Sequence, residues 1–227
     1  MKTNIVSILF RYALSALLIM LLSACALQAT QSAAPTYYSL DRASALMVHP
    51  PPLAAPTLLI APMQAASGFD STHIIYTRLA HQPAYFAHSL WIDTPARMIT
   101  PLLTSALASS GAFLAVTSTT SAVAGDLRLN TELVRLEQDF SSQPSQMRFT
   151  MRATLLDNAT RKVLAWREFN DHVTPVSDAP YDGIKAANSV VQAGLQELSV
   201  FCAEAAQQWY ARTNSVHGAL TETAPGN

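Results

Sequence analysis

From Asp126 to Val173 the chain alternates polar and apolar residues through three consecutive segments, and one long helical stripe follows them. That order limits the fold more than any other feature. Leu127, Leu129, Thr131 and Leu133 share one face, and the phase then moves to Val134, Leu136 and Gln138. A β-bulge near Leu133 would produce that shift. A helix can also be drawn through Leu129, Leu133 and Leu136. Gln146 to Leu156 alternates without a break, with Met147, Phe149, Met151, Ala153 and Leu155 against Arg148, Thr150, Arg152 and Thr154. Asp157-Asn158-Ala159-Thr160 reads as a turn. Lys162 to Val173 returns with Val163, Ala165, Arg167 and Phe169 opposing Leu164, Trp166 and Glu168. A period of two marks half-buried strands, so the three segments predict an antiparallel meander. From Tyr181 to Arg212, Ile184, Ala187, Val191, Leu195, Leu198, Cys202, Ala205 and Trp209 recur at steps of three and four. That stripe predicts a helix lying on the sheet.

Upstream, Thr36 to Leu40 reads as a first strand, and "HPPPLAAP" makes Asp41 to Pro56 a loop, because proline suits neither a helix interior nor a central strand. "TLLIA", Thr57 to Ala61, is a short continuous apolar run suited to a buried central strand. Ile74–Arg78 and Ala84–His88 are rich in β-branched and aromatic residues, and Ala80–Pro83 between them is turn-like, which predicts a hairpin. Asp93 or Thr94 is placed to cap a helix with Pro95 in its first turn. Met98, Leu102, Ala106 and Leu107 would share its buried face, with Ile99 and Leu103 beside them. Pro101 predicts a kink or a delayed start, and Ser110-Gly111 closes the helix. Ala112 to Thr117 is a further short strand. The sum is an α/β (α+β) sandwich: a mostly antiparallel sheet with a meander and two packed helices.

The N-terminus sets the compartment. Lys2 and Arg11 supply positive charge, no acidic residue precedes Asp41, and Tyr12 to Leu22 is apolar apart from Ser15. That length fits a signal-peptide core of roughly 7–15 residues and is short of the about 20 needed to span a membrane. An uncleaved anchor helix is the alternative, with Arg11 in its middle. Leu22-Ser23-Ala24-Cys25 resembles the bacterial lipoprotein box, in which the Cys thiol accepts a diacylglyceryl group and becomes the first mature residue. Further acylation, with chains such as palmitate, makes the attachment firm. Residues 1–24 are therefore read as the signal, 25–35 as a lipidated tether, 36–211 as the folded domain and 212–227 as a disordered tail. Cys202 is then the one free thiol, either reactive or a buried small apolar side chain beside Val200 and Phe201. From residue 25 onward, 12 basic residues stand against 15 acidic ones, a charge of −3. With no basic block, nucleic acid is excluded as an expected partner. Charged residues are 13% of the chain, against about 25% in a typical domain, so some apolar surface is left for a partner or lipid.

Catalytic motifs are missing. No glycine loop for nucleotide, no H-E-x-x-H and no G-x-S-x-G occurs. The histidines are scattered; His81 and His88 could meet on the hairpin but lack a third ligand. Asp178/Asp182 and Glu132/Glu137 read as solvated positions, although a carboxylate dyad could form between distant segments. What stands out is the concentration of Tyr76, Tyr85, Phe86 and Trp91 in 16 residues, flanked by Arg78 and Arg97. These six either pack the hairpin or, for the part that is exposed, grip a partner, since Tyr, Trp and Arg anchor interfaces. Asp93 caps the helix or pairs with Arg97 four residues on.

Tyr37-Tyr38-Ser39-Leu40, Gly68-Phe69-Asp70, Ile75-Tyr76-Thr77-Arg78, Tyr85-Phe86, Trp91-Ile92-Asp93-Thr94-Pro95-Ala96-Arg97-Met98, Asp126-Leu127-Arg128-Leu129, Leu136-Glu137-Gln138-Asp139-Phe140 and Arg167-Glu168-Phe169 occur in this order. Together they resemble the auxiliary lipoproteins of ABC-type transport systems, the group that includes the paraquat-inducible protein C lipoproteins. The resemblance runs from about Tyr37 to Trp209. It implies a non-catalytic, lipid-anchored component serving an ATPase, a permease and an MCE-domain protein that move lipids or other hydrophobic molecules across the cell envelope. It implies no cofactor beyond the covalent lipid on Cys25, and a place at the periplasmic side of the outer membrane, which Ala26 after Cys25 favours. Lipid contact by the domain itself stays open. A structural or assembly lipoprotein without a transporter is the alternative, and a periplasmic hydrolase a third.

Overall fold

In the computed structural model, residues 11–12, 34–41, 50–52, 54–121 and 123–222 are described, with side chains to residue 215. Cys25, the signal and most of the tether lie outside the described residues. The elements run β1 (Thr36–Tyr38), β2 (Thr57–Ile60), β3 (Gln64–Ala65), β4 (His73–Leu79), β5 (Gln82–Trp91), α1 (Pro95–Ser109), β6 (Ala115–Ser118), β7 (Leu127–Asp139), β8 (Gln146–Asp157), β9 (Val163–Val173) and α2 (Pro180–Glu222). The expected first strand and the strand after α1 are thus both shorter than the sequence drew them.

β7 is the spine. One edge pairs antiparallel with β8 along its length, from Leu127 opposite Asp157 to Asp139 opposite Gln146. The other edge is shared by three parallel strands in turn: β2 beside Leu127–Leu129, β3 beside Glu132–Leu133 and β4 beside Glu137–Asp139. β6 adds parallel to β2, β5 antiparallel to β4, β1 parallel to β5, and β9 antiparallel to β8. The result is one open, nine-stranded mixed sheet. The long ladders are antiparallel as expected and hold most of the paired residues, and the short strands join them in parallel, which makes the sheet mixed. The register of β7 against β8 shifts between Leu133 and Arg135. Val134 is the extra residue, so Leu127, Leu129, Thr131 and Leu133 before the bulge and Leu136 and Gln138 after it are all buried.

The two helices cover the face lined by these residues. Met147, Phe149, Met151, Ala153 and Leu155 of β8 are buried, as are Ile184, Ala187, Val191, Leu195, Leu198, Cys202 and Ala205 of α2. α2 can lie this close because Gly194 sits over Phe149: a methyl group there would come within 2.6 Å of Phe149 Cε1. Trp209 is half-buried and donates its Nε1 hydrogen to Asp157 Oδ2 at 2.8 Å. The Thr160 amide, which donates to Asp157 Oδ1 at 2.8 Å, and this indole bond hold that carboxyl below its ordinary value. The helix continues past Arg212 to Glu222, where the sequence predicts a tail.

α1 differs in phase from expectation. Ala96, Ile99, Leu103 and Leu107 form its buried row, and Met98, Leu102 and Ala106 flank it half-buried. Thr94 precedes the first residue, Pro95, and the helix runs unbroken through Pro101. Pro101 is exposed, on the side where the carbonyl it leaves unpaired meets water. Gly111 takes φ +71° just beyond the helix, a left-handed residue of the kind that ends helices.

Candidate partner-binding face

The β4–β5 hairpin carries most of the sequence-predicted site. His81 makes the turn with φ +65°, and the ladder starts immediately, with Leu79 opposite Gln82 and Thr77 opposite Pro83. The expected turn is therefore tighter than Ala80–Pro83. Pro83 is tolerated because β1 reaches only Ser89–Trp91 of β5, which leaves its missing N–H on a free edge.

The hairpin presents two faces. On the side of the helices, Tyr76 lies level with Gln138 and Ala84. Its ring is 4.8 Å from Phe86 and 5.8 Å, edge-on, from Phe140. The Arg78 guanidinium stands 5.1 Å from the centre of Phe140 and 5.3 Å from that of Tyr76. Tyr76 and Phe86 are half-buried and Arg78 is exposed. On the opposite side Tyr85, 52% exposed, packs against His73 at 4.6 Å. His73, Leu90 and Tyr37 lie in one row across β4, β5 and β1, and Tyr37 is also exposed. These rings have an apolar surface beside a cation or a hydroxyl, the composition that anchors interfaces.

Two predicted residues lie elsewhere. Trp91 is 2% exposed and belongs to the core, its backbone N–H donating to Thr72 O at 2.8 Å. Its removal from the candidate face is a correction: Tyr38 of β1 pairs beside it, and its side chain lies in the hydrophobic core. Arg97 is exposed in the first turn of α1 and pairs with Asp93 at 3.3 Å, while Asp93 Oδ1 accepts the Thr94 N–H at 2.7 Å. Asp93 thus fills the pairing role, whereas the cap position belongs to Thr94, whose side chain makes no capping hydrogen bond. The sequence reading missed Phe140, His73 and Leu90 as members. Phe140 comes from the β7–β8 connection, and only strand register could have brought it to Tyr76.

Beside the hairpin, an open cleft of about 440 Å³ lies between Tyr37–Asp41 and the first turns of α2, bordered by Tyr181 and Lys185. Asn188 closes its floor. Its Oδ1 accepts the Asp41 N–H at 2.7 Å and its Nδ2 donates to Ser39 O at 3.2 Å. Gln192 Nε2 donates to Asp41 O at 3.1 Å. Lys185 pairs with Asp182 at 2.6 Å and lies 5.1 Å from the centre of the Tyr181 ring. That pairing lowers the Asp182 pKa and raises that of Lys185.

The acidic residues considered for catalysis have structural partners. Asp178 accepts from Ser145 Oγ at 2.6 Å, and Ser145 in turn accepts from Gln138 Nε2 at 3.1 Å. Glu137 accepts from Thr77 Oγ1 and pairs with Arg135, and Glu132 pairs with Arg152. Among the described residues no three metal-ligating side chains come together, and no helix is long and apolar enough to cross a membrane. Cys202 is buried, and burial pushes its thiol up to about 12, so it is a packing residue rather than a nucleophile.

Solved structures share the fold. A Xanthomonas campestris protein of the DUF330 family superposes with a TM-score of 0.67 at 22% identity, over 76% of this chain and 97% of that one. An uncharacterized protein gives 0.57 at 14% identity, over 75% and 97%. The hypothetical protein CT253 of Chlamydia trachomatis gives 0.52 at 8%, over 67% and 98%. No match is found among curated proteins. Residues 38–199 match the family model of the ABC-type transport auxiliary lipoprotein component, and the chain belongs to that family.

Proposed function

We propose that this protein is a non-catalytic, lipid-anchored accessory of an MCE-type ABC transport system that moves lipids or other hydrophobic molecules across the envelope. Acyl groups on Cys25 hold it at the periplasmic face of the outer membrane. The β4–β5 hairpin docks the MCE-domain protein, and the permease and ATPase of the same system supply transport and energy. The observation that carries the docking role is the half-open aromatic cluster of Tyr76, Phe86 and Phe140 under Arg78, with Tyr85 on the reverse side. Family membership supports the auxiliary role.

The test is affinity capture from envelope extract. The intact protein should recover an MCE-domain protein, and Arg78→Ala with Tyr85→Ala should reduce that recovery while the circular dichroism spectrum stays unchanged. Undiminished recovery by the double variant removes the hairpin from the interface. Failure of the intact protein to recover any MCE protein removes the transport reading and leaves an envelope assembly role. Mass spectrometry of the mature N-terminus tests the anchor: an unmodified Cys25 thiol would overturn it.

A further inference from the structure

β9 ends the sheet. Among the described residues it pairs only with β8, so the outer edge of its eleven residues has no strand against it. A long free edge is a template for another chain, and proteins commonly blunt it with proline or with charges that repel. On β9 these defences are slight: the one irregularity of its ladder lies near its start, at Leu164, and Asp171 is half-buried. The strand contains no proline, and its two central charges are neutralised within the molecule, Arg167 by Glu197 at 3.6 Å and Glu168 by Arg152 at 2.8 Å. Trp166 on this strand is 59% exposed.

We infer that β9 pairs antiparallel with β9 of a second copy of this chain, in a two-fold register centred on Phe169. The charges of the strand favour that register over those centred on the neighbouring Arg167 and Glu168. A two-fold antiparallel pair sets residues opposite one another at equal distances from its centre, with side chains on the same face. Centring on Arg167 or Glu168 would set like charges opposite each other, which is destabilising. Centring on Phe169 sets Arg167 opposite Asp171 of the partner, Glu168 opposite Asn170, Trp166 opposite His172 and Ala165 opposite Val173. By symmetry each of these pairs occurs twice.

The charge facing this seam from the strand's own side is Asp171. Asp171 is half-buried below α2, and its Oδ2 has no hydrogen-bond partner among the described residues. A buried carboxylate oxygen without a donor is costly. The paired strand brings a second Arg167 guanidinium to the side of the sheet on which Asp171 and Glu197 lie.

The test uses the full chain in detergent. Glu168→Cys with Asn170→Cys, mildly oxidised, should give a covalent dimer whose peptide map joins position 168 of one copy to position 170 of the other. Cys202 does not compete, because it is buried. Arg167→Asp, which sets two acidic residues opposite each other twice, should weaken self-association in sedimentation by about tenfold or more, with the folded circular dichroism spectrum retained. A link within one copy only, a link between like positions, or no link overturns the register. Undiminished dimerisation of folded Arg167→Asp, or a wild-type chain that is monomeric at every concentration, overturns the pairing itself.

Discussion

β8 and the β4–β5 hairpin both turn a row of large apolar side chains toward the helices, but only one row is sealed. Met147, Phe149 and Met151 are fully covered by α2. Tyr76, Phe86 and Phe140 are covered in part and capped by Arg78. The difference comes from where α2 begins. Gly183, in its first turn, sits over Gln138 so closely that a methyl group would come within 2.4 Å of the Gln138 side-chain oxygen. Tyr76 is level with Gln138 on the neighbouring strand, and the helix does not extend over it. Similar residues are therefore core in one place and contact surface in the other, and the end of one helix separates them.

Substitutions can break this comparison. Trp91→Ala should have the largest effect, about 3–5 kcal/mol lost in urea unfolding, because Trp91 lies on the sealed side despite its place on the hairpin. A loss below about 1 kcal/mol would return it to the surface. Gly194→Ala should cost about 1–2 kcal/mol, as crowding against Phe149 outweighs the gain in helix propensity. A stabilised variant would mean that α2 rides higher on β8 than described.

Asp171→Asn should act more weakly and in the opposite direction. Burial raises the Asp171 carboxyl above its ordinary value, Glu197 adds to the shift, and Arg167 and His172 oppose it. A folded-state pKa above the unfolded one means that protonation supports the fold. That support is complete below the ordinary carboxylate pKa of about 3.9 and is lost as pH rises through the raised value. At concentrations where the chain is monomeric, the variant should therefore melt higher than wild type near pH 7, with the gain shrinking as pH falls toward 4. A gain that is equal at both pH values would separate the effect from ionisation. Smallest of all, Tyr85→Ala should change stability by no more than about 0.5 kcal/mol. A larger change would show that this exposed ring belongs to the core.

The meander and α2 were legible in the sequence because each long element repeats its signal many times. Five residues of β8 agree on one face, and the bulge at Val134 is visible as a break in phase. The parallel partners of β7 were not legible. Strands as short as Gln64–Ala65 carry no periodicity, and which segment lies beside which part of β7 depends on the path of the chain. The phase of α1 was misread because apolar residues occupy both of its candidate faces, and the packing of Ile99 and Leu103 decides between them. The hairpin was found from its residue types, but the burial of Trp91 depends on β1 and the distant core residues around it, which its neighbours in sequence do not reveal.

The junction at Ser39–Asp41 also determines how the domain responds to a pull. β1 is only three residues long and runs parallel to β5, so tension applied along the strand from residue 36 loads its few hydrogen bonds in shear, all at once, rather than opening them singly. Asn188 and Gln192 grip the chain just beyond, at Ser39 and Asp41. They pass the load to α2, the element most deeply seated on the sheet. A domain towed by its N-terminus would thus transmit force into its core before its edge strand came away. Asn188→Ala should lower the force at which β1 detaches while leaving the meander intact.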